Sequence, residues 1–218
     1  MISAKKNKYP GFLITFEGGE GGGKTTQTVR LRDKLTKAGH DVVVLREPGG
    51  TVISEQIRKV VLSPDNTSMA FTTEVLLFQA ARAQIYRELV IPSLKAGKMV
   101  LMDRSRDSSV VYQGTVRGFG KTLIEELNNL STNKIYPNLT ILLDLPVEIG
   151  LKRRVDSGKV DRLDMEAKEF HQQVREAYLK LAKENDQGRW VMIDASTSLE
   201  QVENKIWKIA EEKLKKLA

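Results

Sequence analysis

One stretch constrains this chain more than any other: Phe16-Glu17-Gly18-Gly19-Glu20-Gly21-Gly22-Gly23-Lys24-Thr25-Thr26. It fits G-x-x-x-x-G-K-[ST], with Gly18 and Gly23 framing the loop. The β-branched and aromatic run Phe12 to Phe16 reads as a buried strand before it, and Thr26 to Ala38 reads as a helix after it. That strand–loop–helix context separates a phosphate-binding loop from a plain glycine turn. Glycines let the backbone turn several N–H groups onto one phosphate. The helix N-terminus adds partial positive charge. Lys24 is placed to reach the terminal phosphates, and the Thr25 hydroxyl can hold a Mg²⁺. The loop therefore predicts a nucleoside triphosphate site built from Gly18 to Thr26.

The remainder of the chain reads as strands alternating with helices. Strands are expected at Val42–Leu45, Met99–Met102, Leu139–Leu145 and Trp190–Ile193. Leu139–Leu145 is continuous in apolar character apart from Thr140 and Asp144, as in a strand buried on both faces. The pattern predicts an α/β protein of the P-loop NTPase fold, a five-stranded parallel sheet with helices on both faces. Helical spacing covers Val52–Leu62, a long region from about Ser68 to Leu94 bent before Pro92, then Ser108–Tyr112 and Thr122–Leu130. With 218 residues, one domain over 11–218 is expected after a basic arm at 1–10. There is no cysteine, so disulfides are excluded. Apolar runs are strand-sized, and no signal-type apolar core follows the basic start, so a cytoplasmic protein without a membrane span is expected. The net charge of +7 fits an anionic ligand. Its lysines and arginines are dispersed, without the basic stripe and interleaved aromatics of single-strand binders, which argues against nucleic acid. His40 reads as a turn residue, and His171 as a surface position on a helix.

In such a sheet, ligands gather at the carboxyl ends of the strands. Arg46-Glu47 and Asp103-Arg104 leave those ends beside the loop. Asp103 ends an apolar strand, where a magnesium-supporting carboxylate stands in P-loop enzymes. Arg104 can grip a second phosphate; the alternative is that the pair caps the next helix.

Val100-Leu101-Met102-Asp103-Arg104-Ser105-Arg106-Asp107-Ser108-Ser109-Val110-Val111-Tyr112-Gln113 resembles the signature of the thymidylate kinases. So do Phe16 to Glu20, Arg46-Glu47-Pro48-Gly49-Gly50-Thr51, Leu77-Phe78-Gln79-Ala80-Ala81-Arg82, and Asp161-Arg162-Leu163-Asp164 with Phe170 and Tyr178 downstream. The resemblance implies phosphoryl transfer from ATP, with Mg²⁺, to dTMP, by a homodimer. It implies that Phe78 stacks on the thymine ring, although spacing alone reads it as a core aromatic. Arg82, one turn later, would bond the base edge. Arg58 and Arg104 would hold the monophosphate. Ser108, Ser109 and Gln113 would line the base and sugar pocket, Tyr112 would crowd the sugar's 2′ position, and Glu47 and Pro48 would shape the wall. Glu20 would face the acceptor's 3′-hydroxyl or the metal.

The chain departs from the family in one place. Members carry a transition-state arginine in the phosphate loop or in a mobile lid. Here the loop has Gly21, and the usual lid position before Gly158 is Ser157. Arg153, Arg154, Lys159 and Arg162 are the nearest cations in a lid expected at about 151–163. Arg153 and Arg154 point about 100° apart on a helix, so one of them at most is expected to face the nucleotide. Arg162 is expected to swing in as the lid closes, with Arg153 against the adenine and Lys159 in reserve. A kinase for another nucleotide or a nucleoside remains the nearest alternative. A GTPase module is disfavoured because Asn133-Lys134-Ile135-Tyr136 begins like a guanine-reading motif but lacks its aspartate.

Overall fold

The computed structural model describes residues 8–158, 160–184 and 188–215. Five parallel strands form one sheet in the order β2-β3-β1-β4-β5. They are β1 (Phe12–Glu17), β2 (Val42–Arg46), β3 (Met99–Asp103), β4 (Leu139–Asp144) and β5 (Trp190–Asp194). The helices are α1 (Lys24–Lys37), α2 (Val52–Leu62), α3 (Phe71–Ile85), α4 (Ile91–Lys95), α5 (Arg106–Ser109), α6 (Lys121–Ser131), α7 (Val147–Asp156), α8 (Lys168–Glu184) and α9 (Leu199–Lys215). Successive side chains of a strand face opposite sides, and the central strand shows why both sides must be covered. Ile14 and Phe16 pack with Leu31, Leu35 and Ile206 of α1 and α9, whereas Leu13 packs with Ile85 and Leu94 of α3 and α4. A third cluster joins Val75, Ile124, Phe170 and Tyr178 beside β4. Among the described residues no helix is long and apolar enough to cross a membrane.

The long helical region between β2 and β3 runs from Phe71 to Lys95, and a π-helical turn at Tyr86–Val90 interrupts it. Pro92 follows after one intervening residue, and a proline has no N–H to give the preceding turn. A second π-helical turn, Val110–Val116, extends α5. The segment expected at Ser108–Tyr112 is thus one continuous helical stretch from Arg106 to Val116.

The sheet aligns the strand ends that matter. Asp103 lies opposite Phe16 of β1 and opposite Arg46 of β2. The loop after β1, the Arg46-Glu47 turn and the Asp103-Arg104 turn therefore leave the sheet side by side. Here β1 separates strands reached in opposite directions along the sheet, the place where an open α/β sheet forms a crevice.

Candidate active site

A cavity of about 620 Å³ opens over these strand ends. The phosphate loop forms one wall. Gly23, in the left-handed conformation at φ 83°, ends the loop and starts α1. Lys24 is buried, and its Nζ donates to the carbonyls of Gly18 (3.2 Å) and Gly19 (2.7 Å). Burial, reinforced by the Arg104 charge, lowers its pKa to about 8. The Thr25 hydroxyl donates to Asp103 Oδ2 at 2.5 Å.

A second wall of the cavity lies across from the loop. Arg104 takes a left-handed conformation, φ 65°, rare for a residue with a Cβ. Its backbone N–H donates to Phe16 O at 2.9 Å, which pulls the turn under the loop. Its guanidinium then meets Glu20 at 2.5 Å and Gly18 O at 3.0 Å. Tyr112 donates to the same Glu20 carboxylate at 2.9 Å. Burial pushes Glu20 up, but the Arg104 and Lys24 charges and the Tyr112 hydroxyl outweigh it and hold the carboxyl at about 2. Arg58 reaches the pocket from α2 while donating to Pro48 O at 2.7 Å. Phe78 is half-buried on the cavity wall, with Ser108, Ser109 and Gln113. Arg82 spends most of its donors on the protein: Glu47 at 2.7 Å, Ser109 at 2.9 Å, Asn128 at 2.7 Å and Ser105 O at 3.0 Å. Its first task is to fix the wall that Glu47 and Ser109 form.

Glu17 has no role in the sequence reading beyond its place at a strand end. Fully buried beneath Arg104, it accepts from Ser105 N (2.9 Å), Ser108 Oγ (2.6 Å) and Tyr178 (2.9 Å). Burial and the nearby Asp107 charge raise its pKa to about 7. An acidic residue closing an apolar strand was the available signal. Tyr178, from α8, joins Ser108 and Arg104 to the same cluster.

The lid side corrects the sequence reading in three respects. Arg162 does not line the cavity. It is 7% exposed, ion-paired to Glu74 of α3 at 2.6 Å, and donates to Val61 O at 3.0 Å. It ties the segment after α7 to α2 and α3, away from the cavity that the sequence reading expected it to enter. Arg153 and Arg154 both line the cavity, although one at most was expected to. The reason is backbone packing: Gly150 lies against the loop, so the whole face of α7 one turn later overhangs it. Arg153 Nη1 approaches Gly21 O at 3.5 Å, and Arg154 pairs with Asp164 (2.8 Å) and Asp161 (3.1 Å). Lys159 lies outside the described residues. Finally, His171 is buried, not exposed, edge-on to Phe170 with ring centroids 5.6 Å apart.

The donors near the loop suit a small hard cation. Mg²⁺ keeps several waters and uses one or two protein oxygens together with substrate phosphates. The Thr25 hydroxyl and the Asp103 carboxylate, in contact at the loop's edge, are such a pair. Among the described residues no cluster of three or more acidic or imidazole ligands forms a separate metal site.

Comparison with known proteins gives the family. The family model described as "Thymidylate kinase" matches residues 16–206. A thymidylate kinase of Geotalea uraniireducens is 47% identical, with 88% of this chain and 93% of the relative covered. One from Caldanaerobacter subterraneus is 42% identical, with 94% and 97% covered. A crystal structure of thymidylate kinase from Ehrlichia chaffeensis superposes with a TM-score of 0.74 at 31% identity, over 92% of this chain and 98% of that one.

Proposed function

The chain belongs to the thymidylate kinase family, and from that membership we infer that it transfers the γ-phosphate of ATP to dTMP, giving dTDP and ADP for nucleotide biosynthesis. One observation in the structure carries the reading best. A single cavity joins the phosphate loop to a second group of cations, Arg58 and Arg104, and to the aromatic wall at Phe78. A nucleotide hydrolase would need only the first of these; a kinase for a monophosphate needs both.

The residues divide the work along that cavity. The loop amides and Lys24 take the β- and γ-phosphates of ATP. Lys24 donates to the Gly18 and Gly19 carbonyls, which hold its ammonium at the loop. Thr25 and Asp103 would hold Mg²⁺. When bound, the ion neutralises charge on the β- and γ-phosphates. Arg104 and Arg58 bring the dTMP phosphate into line, and Arg104's ion pair with Glu20 fixes its guanidinium beside the loop. Such a transfer calls for positioning and charge neutralisation more than for covalent help. Phe78 stacks on the base, Gln113 and Ser109 line its edge, Arg82 orders that wall and leaves its remaining N–H for the base, and Tyr112 stands against the sugar.

The same reading covers the chain's organisation. A single domain spans 11–218, with a lid at about 151–163 that closes over ATP and excludes water. The protein acts in the cytoplasm as a homodimer. The adjacent helices α2, α3 and α6 support pairing, because they leave Val52, Ile53, Leu76, Leu123 and Leu130 exposed. Sedimentation at micromolar concentration checks it: a monomer there contradicts the dimer. The activity itself is tested by coupled ADP release from ATP with dTMP as acceptor.

A further inference from the structure

Helix α3 turns three side chains to one side. Glu74, Phe78 and Arg82 stand four residues apart, a spacing that shares a helix face. Phe78 and Arg82 line the cavity. Glu74 lies behind the wall, fully buried. Its two carboxylate oxygens are used differently. Oε2 accepts from Arg162 at 2.6 Å and from Arg117 at 3.4 Å. Oε1 accepts from Gln113 Nε2 at 2.9 Å. Both guanidiniums are also held from elsewhere. Arg162 donates to Val61 O, while Arg117 pairs with Glu166 and lies 4.2 and 4.7 Å from the ring centres of Phe71 and Phe170. The side of Glu74 that faces them therefore has to be an acceptor.

A primary amide has a donor end and an acceptor end, and a half-turn exchanges them. Gln113 is 2% exposed and borders the cavity. A carboxylate only accepts, so the amide presents its NH2 to Glu74. Its Oε1 is the end left for the cavity, and it meets no donor among the described residues. Arg82 gives four of its five N–H groups to Glu47, Ser109, Asn128 and Ser105 O and keeps one. The base wall thus offers an acceptor from Gln113 and a donor from Arg82. That pair matches a 4-oxopyrimidine, which donates from N3–H and accepts at O4. It opposes cytosine, which accepts at N3 and donates from its 4-amino group.

We propose that Glu74 is a specificity-determining positioning residue: by holding the Gln113 amide in one of its two orientations, it makes the site select thymine over cytosine. The proposal rests on the kinase reading above and adds the group that sets the choice of base. Glu74 touches no substrate and acts through Gln113. A polar site rejects a mismatched analogue because its own buried groups are left unpaired. That rejection lasts only while the amide cannot turn over. Turning it would set the amide oxygen against a buried carboxylate oxygen, acceptor to acceptor. Glu74→Gln removes this block and reverses the preference. The new amide has to keep its oxygen on the two guanidiniums, so its NH2 turns to Gln113. Gln113 then accepts with Oε1 and presents its own NH2 to the base.

The experiment compares wild type, Glu74→Gln, and the exchange variant Glu74→Gln/Gln113→Glu, with dTMP and dCMP as acceptors and thermal unfolding as the folding control. In Glu74→Gln the ratio of kcat/KM for dTMP to that for dCMP is expected to fall about a hundredfold, the scale of one reversed buried hydrogen bond. The loss should lie in KM for dTMP, with kcat and KM for ATP within about threefold of wild type. The exchange variant puts an obligate acceptor at position 113, so it should regain most of the lost ratio. A merely structural Glu74 would gain nothing from that exchange. An unchanged ratio in Glu74→Gln, an equal loss toward ATP, or no recovery in the exchange variant would overturn the proposal. If Glu74→Gln does not fold, a crystal structure of wild type with dTMP decides. Gln113 should then lie within about 3.2 Å of both Glu74 and the base N3, and an amide turned away from Glu74 would overturn the proposal. Wild type failing to transfer phosphate to dTMP would instead refute the kinase reading itself.

Discussion

Arg162 illustrates how a charged residue in a family signature can serve the fold rather than the chemistry. Removing it by Arg162→Ala deletes the 2.6 Å pair with Glu74 and the 3.0 Å bond to Val61 O. Glu74 is completely buried and, among the described residues, keeps Gln113 at 2.9 Å and the longer Arg117 contact at 3.4 Å. Breaking a buried pair by removing one partner costs about 3–5 kcal/mol, because a charge is left uncompensated. The surviving donors put this site near the lower end, at about 3 kcal/mol. For a chain of this length each kcal/mol lowers Tm by about 2–4 °C, so a fall of about 6–12 °C is expected. Turnover per folded molecule should stay within about fivefold of wild type, since Arg162 does not reach the cavity. Calorimetry or thermal fluorescence gives the first quantity, and single-turnover kinetics well below the new Tm gives the second. A variant with wild-type Tm and a hundredfold slower transfer would refute the reasoning and restore Arg162 to the catalytic set.

Phe78→Ala should weaken dTMP about ten- to hundredfold, the loss of one base–aromatic stack, while ATP affinity changes little; equal weakening of both would make Phe78 a packing residue, and calorimetric titration separates the two. Lys24, held by burial at about 8, loses its charge as pH rises through that value. Free-enzyme pKa values appear in kcat/KM, so kcat/KM for ATP should fall about tenfold per pH unit above about 8. A profile flat to pH 10 would show that Lys24 stays charged or is not needed.

Much of this was legible in the sequence because the signals were local. Gly18 to Thr25 carry loop, lysine and hydroxyl at fixed offsets, and apolar runs between helical segments gave the parallel sheet. Roles that depend on a distant partner were not legible. Arg162 owes its place to Glu74, which lies 88 residues earlier in the chain. Arg153 and Arg154 both face the cavity because Gly150 has no Cβ and rests on Gly21, a contact across the sheet that no local pattern encodes. His171 appeared polar and exposed among charged neighbours, yet α8 turns it inward against Phe170. Glu17 was visible only as a strand-end carboxylate; its partners Ser108 and Tyr178 come from α5 and α8. Burial and long-range pairing set these assignments, and the helical period alone does not rank them.

The central claim is that one cavity brings a triphosphate donor and a thymidine monophosphate acceptor together. The most direct measurement is initial-rate ADP release from ATP across a panel of deoxynucleoside and nucleoside monophosphates, nucleosides and water, with dTDP identified as product. The account predicts that dTMP is the preferred acceptor, that thymidine without its phosphate is inert because Arg58 and Arg104 have nothing to hold, and that water alone releases little ADP. ADP release that is as fast with water, or with any other monophosphate, as with dTMP would contradict it.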